Sequence, residues 1–152
     1  MNKEQNRMTR VYRGALLAIR LILGTLFVIS AALKLSSPAD FAQSILNYRI
    51  FGIILSHWGA VMIPALEAIV GIMLLTGFWL KETMILTVSL YLIFDIMILQ
   101  AFFRELDVTC GCFNPLDKTP IDIYKLTENF VLTILAILSI FLYGKIQLKE
   151  KS

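Results

Sequence analysis

Residues 53–80 read IILSHWGAVMIPALEAIVGIMLLTGFWL, and this stretch decides the fold class. It is apolar for longer than the about 20 residues a helix needs to cross a bilayer. Its polar intrusions, His57 and Glu67, are isolated, and it lacks the two-residue alternation of a membrane β-strand. Three further stretches share this character. Residues 15–33 (ALLAIRLILGTLFVISAAL) are interrupted by the charge of Arg20, and residues 84–103 contain Asp95. Residues 124–143 open on a polar turn at Glu128 and Asn129 before becoming apolar.

Composition agrees. The 152 residues are 58% hydrophobic and 16% charged, with a mean hydropathy of +0.77, whereas soluble domains carry about 25% charged residues. The sequence predicts an all-α integral membrane protein. A bundle of four transmembrane helices forms one membrane domain over residues 15–143, between basic tails at 1–14 and 144–152. The basic front of the first stretch and Ser30-Ala31-Ala32 resemble a cleavable leader. Its apolar run exceeds the usual 7–15 residues of such a segment, so the helix is expected to be retained.

The net charge of +3 comes with basic residues gathered at both chain ends: Lys3, Arg7, Arg10 and Arg13, then Lys145, Lys149 and Lys151. Beside apolar runs, such residues read as orienting charges rather than as a nucleic-acid surface. The expected partner is the lipid bilayer, with no nucleic acid. Both termini are then cytoplasmic in an inner (plasma) membrane, and the 34–52 and 104–123 connections face outward. Within the first connection, Ser37-Pro38-Ala39-Asp40 is a helix-start signal, with Ser37 as the expected cap. Phe41, Ile45 and Tyr48 follow at helical spacing, which predicts a short amphipathic helix on the outer surface.

The second connection carries Cys110-Gly111-Cys112, the chain's two cysteines. On an oxidising face a disulfide between them persists. Bridging residues two apart requires a tight turn, which Gly111 permits. A strained, exposed disulfide of this kind is labile and reactive. The readings are a redox pair or a fixed local staple, although so short a ring gains little loop entropy. Two cysteines and the single histidine, His57, are too few for a closed zinc site, so no metal is expected.

Charged groups inside a membrane are expensive and need partners. At 1.5 Å per residue, Arg20 lies about 10 Å above the inner end of its helix and Glu67 roughly 15–20 Å from the same side. These depths predict an Arg20–Glu67 ion pair. Asp95 falls in the outer half of its helix, on the side of His57 and the cysteine connection. Glu67 and Asp95 are candidates for proton handling, and His57 is a further candidate.

These residues carry a resemblance. Ala32-Leu33-Lys34-Leu35 followed by Phe41, Pro64-Ala65-Leu66-Glu67 with Gly71, and Cys110-Gly111-Cys112-Phe113 together resemble the DoxX/MauE membrane family, within it the methylamine-utilisation branch, from about Ala15 to Leu142. Asn114 and Glu128-Asn129 depart from the family pattern. The resemblance implies a four-helix bundle acting in thiol–disulfide exchange with a periplasmic thioredoxin-like protein, in support of methylamine dehydrogenase maturation. It also implies a link to quinone-coupled electron transfer, with quinone as the cofactor to consider. A non-catalytic membrane anchor or assembly factor with a structural Cys-Gly-Cys bridge is the alternative.

Overall fold

The computed structural model describes residues 3–49, 52–104 and 123–151. They form five helices: α1 (Lys3–Ser36), α2 (Pro38–Asn47), α3 (Ile53–Thr76), α4 (Leu80–Phe103) and α5 (Ile123–Lys151). Among the described residues there is no strand. All but α2 contain a span long and apolar enough to cross a membrane. The 24 residues of α3 and of α4 extend about 36 Å at 1.5 Å per residue, enough for a hydrocarbon core of about 30 Å. The chain is a multi-pass membrane protein, as its composition requires.

The helix ends differ from those expected. The first helix begins at Lys3 rather than Ala15, and the last runs on to Lys151 rather than ending at Tyr143. Arg, Lys, Gln and Leu sustain a helix well, so the segments expected as tails continue the spans beyond their apolar parts. These extensions also pack. Leu16 of α1, Met84 of α4 and Ile146 of α5 form a buried cluster joined by Tyr12 and Tyr143, and the Lys149 ammonium lies 5.4 Å from the Tyr12 ring centre. The first half of α1 and the last turns of α5 therefore share one end of the bundle.

The second spanning helix stops at Thr76 rather than Leu80, and the third starts at Leu80 rather than Met84. Gly77 explains the stop. It sits at φ 81 in the left-handed region and donates its amide to Met73 O at 2.9 Å. A Cβ there would be strained and would meet the Arg20 guanidinium. Trp79, at φ 43, completes the turn, and its carbonyl accepts from both the amide and the hydroxyl of Thr83.

At the opposite end α2 lies across α3, burying Phe41, Ala42 and Ile45 against Ala60 and Ile63. Its amphipathic pattern thus has a protein partner for its apolar face. Ser37 makes no side-chain cap; Pro38 starts the helix, and the Ser37 carbonyl accepts the Phe41 amide at 3.1 Å. Tyr48, just beyond α2, is buried against Ala101 and Met97 of α4, and burial pushes its hydroxyl pKa up to about 12.

The central core combines Leu23 and Phe27 of α1, Val70 and Leu74 of α3, Tyr91 of α4, and Leu132 and Ala136 of α5. Two glycines set its closest approach. A Cβ on Gly71 would fall 2.9 Å from Gly24 O, and one on Gly24 would fall 3.1 Å from Gly71 O. The antiparallel backbones of α1 and α3 therefore touch here, as small residues permit in membranes. The outward faces carry exposed Leu, Ile, Val and Phe, with Trp58 and Trp79 exposed near opposite ends, as interfacial anchors are.

Candidate functional site

The Gly24–Gly71 contact fixes which polar groups on α1 and α3 can meet. In an antiparallel pair, moving toward the C-terminus of α1 moves toward the N-terminus of α3. Ser30 and Lys34 thus approach Glu67, while Arg20 approaches the end of α3. Side chains on a helix lean toward its N-terminus, so Lys34 leans back toward mid-helix and Glu67 leans forward to meet it. The Lys34 ammonium donates to Glu67 Oε1 at 2.5 Å, and Ser30 Oγ donates to Oε2 at 3.3 Å. Lys34 is 0% and Glu67 1% exposed, so the pair is sealed from both water and lipid.

Aromatic rings complete the lysine's surroundings. Its ammonium lies 5.1 Å from the centre of the Phe41 ring on α2 and 4.9 Å from that of Phe94 on α4. Cation–π contacts of this kind contribute about 0.5–2 kcal/mol each, more when desolvated. One side chain on α1 therefore contacts α2, α3 and α4.

The expected Arg20–Glu67 pair is not formed. The lean that brings Lys34 to Glu67 carries Arg20 away from it, toward the C-terminal end of α3. Arg20 donates from Nε at 3.0 Å and from Nη2 at 2.8 Å to Leu74 O. It satisfies a carbonyl in the last turn of α3 and places a cation at the negative end of that helix dipole. Similar depth was a necessary condition for the pair but not a sufficient one.

Asp95 takes its partners from α5. Asn129 Nδ2 donates to Oδ1 and Thr133 Oγ1 to Oδ2, both at 2.6 Å. Asn129 and Thr133 lie one turn apart and are each 3% exposed. His57 is exposed, and its Nδ1 donates to Ile53 O of its own helix at 2.9 Å. No described contact joins it to Asp95 or Glu67. Cys110, Gly111 and Cys112 lie outside the described residues.

Between the two polar clusters is a cavity of about 20 Å³ whose wall includes Ser30, Glu67, Tyr91 and Asn129. Lys34, Asn129, Thr133 and Tyr91 are the site residues that the sequence reading did not assign. The signals were a lysine one turn beyond Ser30 on an apolar helix, and a polar pair at i, i+4 on α5.

The family model described as "Methylamine utilisation protein MauE" matches residues 13–142. The chain belongs to the MauE family. A curated relative, "Methylamine utilization protein MauE" of Paracoccus denitrificans, is 29% identical over 121 residues, covering 79% of this chain. The chain spans 65% of that relative's length. No solved structure matches. The stretch matched to the MauE family contains Lys34, Glu67, Asp95, Asn129 and Thr133, and with them the Cys-Gly-Cys segment.

Proposed function

We propose that this chain is the membrane component of a thiol–disulfide exchange serving methylamine utilisation, with Cys110 and Cys112 as the redox pair and an extracytoplasmic thioredoxin-like protein as partner. The observation that carries this reading is the pair itself. The chain's two cysteines flank a single glycine in the connection between α4 and α5. Family membership and the printed name of the Paracoccus relative support the pathway. The basic residues on α1 and α5 support a cytoplasmic location for the end those helices share. The cysteine connection then lies on the oxidising side of the inner membrane.

Cys112 is the attacking residue, being nearer in sequence to the start of α5, whose positive end favours a thiolate. The Cys112 thiolate attacks one sulfur of the partner's disulfide, and the other sulfur leaves as a thiolate. Cys110, deprotonated, then attacks the Cys112 sulfur and displaces the partner. One disulfide breaks and one forms; the partner gains two electrons and the Cys110–Cys112 pair becomes oxidised. The reverse sequence oxidises the partner.

Thiol trapping in membranes followed by non-reducing electrophoresis tests the reading. Cys110→Ala should accumulate a mixed disulfide with the partner, and Cys112→Ala should not. A pair that stays oxidised at every redox poise, with both alanine variants supporting growth on methylamine, would overturn it in favour of a structural bridge.

A further inference from the structure

At the end of the bundle shared by the start of α1 and the last turns of α5, a cavity of about 480 Å³ opens between α4 and α5. Small-molecule sites occupy about 300–1,000 Å³. Its walls are apolar, with Met84 and Ile85 on α4 facing Ile140 and Leu148 on α5. Gly144 borders it without a side chain, and a Cβ there would meet nothing within 4 Å. Ile85 is 50% and Leu148 71% exposed, so the cavity opens on the side where the bundle meets lipid. From Ile140 to Leu148 it follows α5 for about 12 Å at 1.5 Å per residue. Both helices span the membrane, so this length runs across the leaflet, as an acyl chain does.

The polar groups gather toward one end. The clustering of Met84 with Ile146 sets the register of the antiparallel α4 and α5. Lys81, in the first turn of α4, therefore stands near the α5 turn that carries Gln147, and Ile140 lies deepest. Gln147 Nε2 donates to the Tyr143 hydroxyl at 3.3 Å, which leaves the phenol proton for another acceptor. Among the described residues Lys81 is the one charged group lining the cavity, and its ammonium has no carboxylate partner. Its neighbour Glu82 does not line the cavity. An apolar slot that ends in an unpaired cation and two hydrogen-bonding groups suits an amphiphile with an acyl tail and an acidic head group.

We propose that this groove binds one anionic phospholipid from the adjacent leaflet, its acyl chain between α4 and α5 and its phosphate at Lys81. Gln147 and Tyr143 hydrogen-bond the oxygens beside the phosphate. Basic pockets between spanning helices select acidic head groups in this way. A second copy of the chain suits the groove less well. Inserted in the same direction, it would bring its own basic α1 and α5 ends to the same level. The site lies at the far end of α4 and α5 from the cysteine connection and does not depend on the thiol chemistry.

Native mass spectrometry of the full chain tests it, with release from micelles that hold equal amounts of phosphatidylglycerol and phosphatidylcholine of the same acyl composition. The parent chain should retain one phosphatidylglycerol in preference to phosphatidylcholine. A lysine near a membrane surface contributes about fivefold to such binding. Lys81→Gln should therefore lower the preference by about that factor, while Lys145→Gln, outside the groove, should leave it nearly unchanged. Gly144→Leu keeps every charge and fills the slot; it should lower retention of both lipids. If Gly144→Leu fails to fold, Ile85→Phe fills the slot from the facing helix and carries the same expectation. Equal retention of the two lipids, equal losses in Lys81→Gln and Lys145→Gln, or retention untouched by a filled slot would each overturn the proposal. So would a parent dimer that Gly144→Leu converts to monomer, because a second copy would then occupy the groove.

Discussion

Replacing Glu67 by Gln leaves the shape of the site almost unchanged and removes the charge that Lys34 is buried against. Breaking one side of a buried ion pair costs about 3–5 kcal/mol, because the remaining charge is left without compensation. Here the ammonium keeps its contacts with Phe41 and Phe94, so the loss falls at the low end, about 3 kcal/mol. A chain of this length changes its Tm by about 2–4 °C per kcal/mol, which gives a drop of about 6–12 °C. Lys34→Met strands the carboxylate with the Ser30 hydroxyl still donating to it and should cost about the same 3 kcal/mol or more. The double variant Lys34→Met/Glu67→Met removes both charges and should return close to the parent Tm, since well-packed apolar replacements of buried pairs are often neutral. The assay is the fraction of monodisperse protein surviving a temperature series in mild detergent. Arg20→Met combined with Glu67→Gln should recover nothing, since Arg20 serves the end of α3. Additive single and double effects, or recovery through Arg20, would refute the assigned pairing.

Arg20→Met alone should destabilise by about 1.5–3 kcal/mol through loss of two charged hydrogen bonds to Leu74 O, with Arg20→Lys retaining part of that stability; the same thermal series reads it, and an unchanged Tm would contradict the cap. Gly77→Ala should cost about 1 kcal/mol or more from the left-handed backbone and the nearby guanidinium, whereas Gly14→Ala, with open space around it, should raise stability by about 0.5–1 kcal/mol. Equal effects at the two glycines would count against the turn geometry. Reporter fusions after Gly52, Lys81, Lys118 and Ser152 should read outside, inside, outside and inside; an extracytoplasmic C-terminus would remove the oxidising environment on which the thiol reading depends.

The spans were legible because the solvent they face is uniform. A run such as Ile53–Thr76 has one way to be satisfied in a membrane, and composition alone reveals it. α2 was legible from its periodicity, though not the surface it covers, since Ala60 and Ile63 lie on another helix with no mark of the contact in sequence. Helix ends were less legible. Hydropathy falls at Arg13 and at Gly144, but the backbone continues because polar residues form helices as well as apolar ones. The pairing of charges was least legible. Arg20 and Lys34 stand at either end of the same apolar run, and choosing between them needs the α1–α3 register and the direction in which side chains lean. Both follow from the contact of Gly24 with Gly71, which a single sequence does not announce. Asn129 was read as part of a polar turn beside Glu128, yet it is buried while its neighbour is exposed, a difference of one helical step.

The position of Lys34 also bears on how the protein enters its membrane. The chain is made from its N-terminus, so α1 arrives before α3. Lys34 lies in the last turns of α1, where a long side chain can reach the headgroup layer and wait there hydrated. Glu67 lies near the middle of α3, and its short side chain has no such refuge. The ion that can wait is synthesised first, and the one that cannot arrives when its partner is already in place. A permuted chain beginning at α3 would present the carboxylate to lipid with no ammonium to receive it, and its insertion should stall at that helix although every contact of the finished bundle remained available.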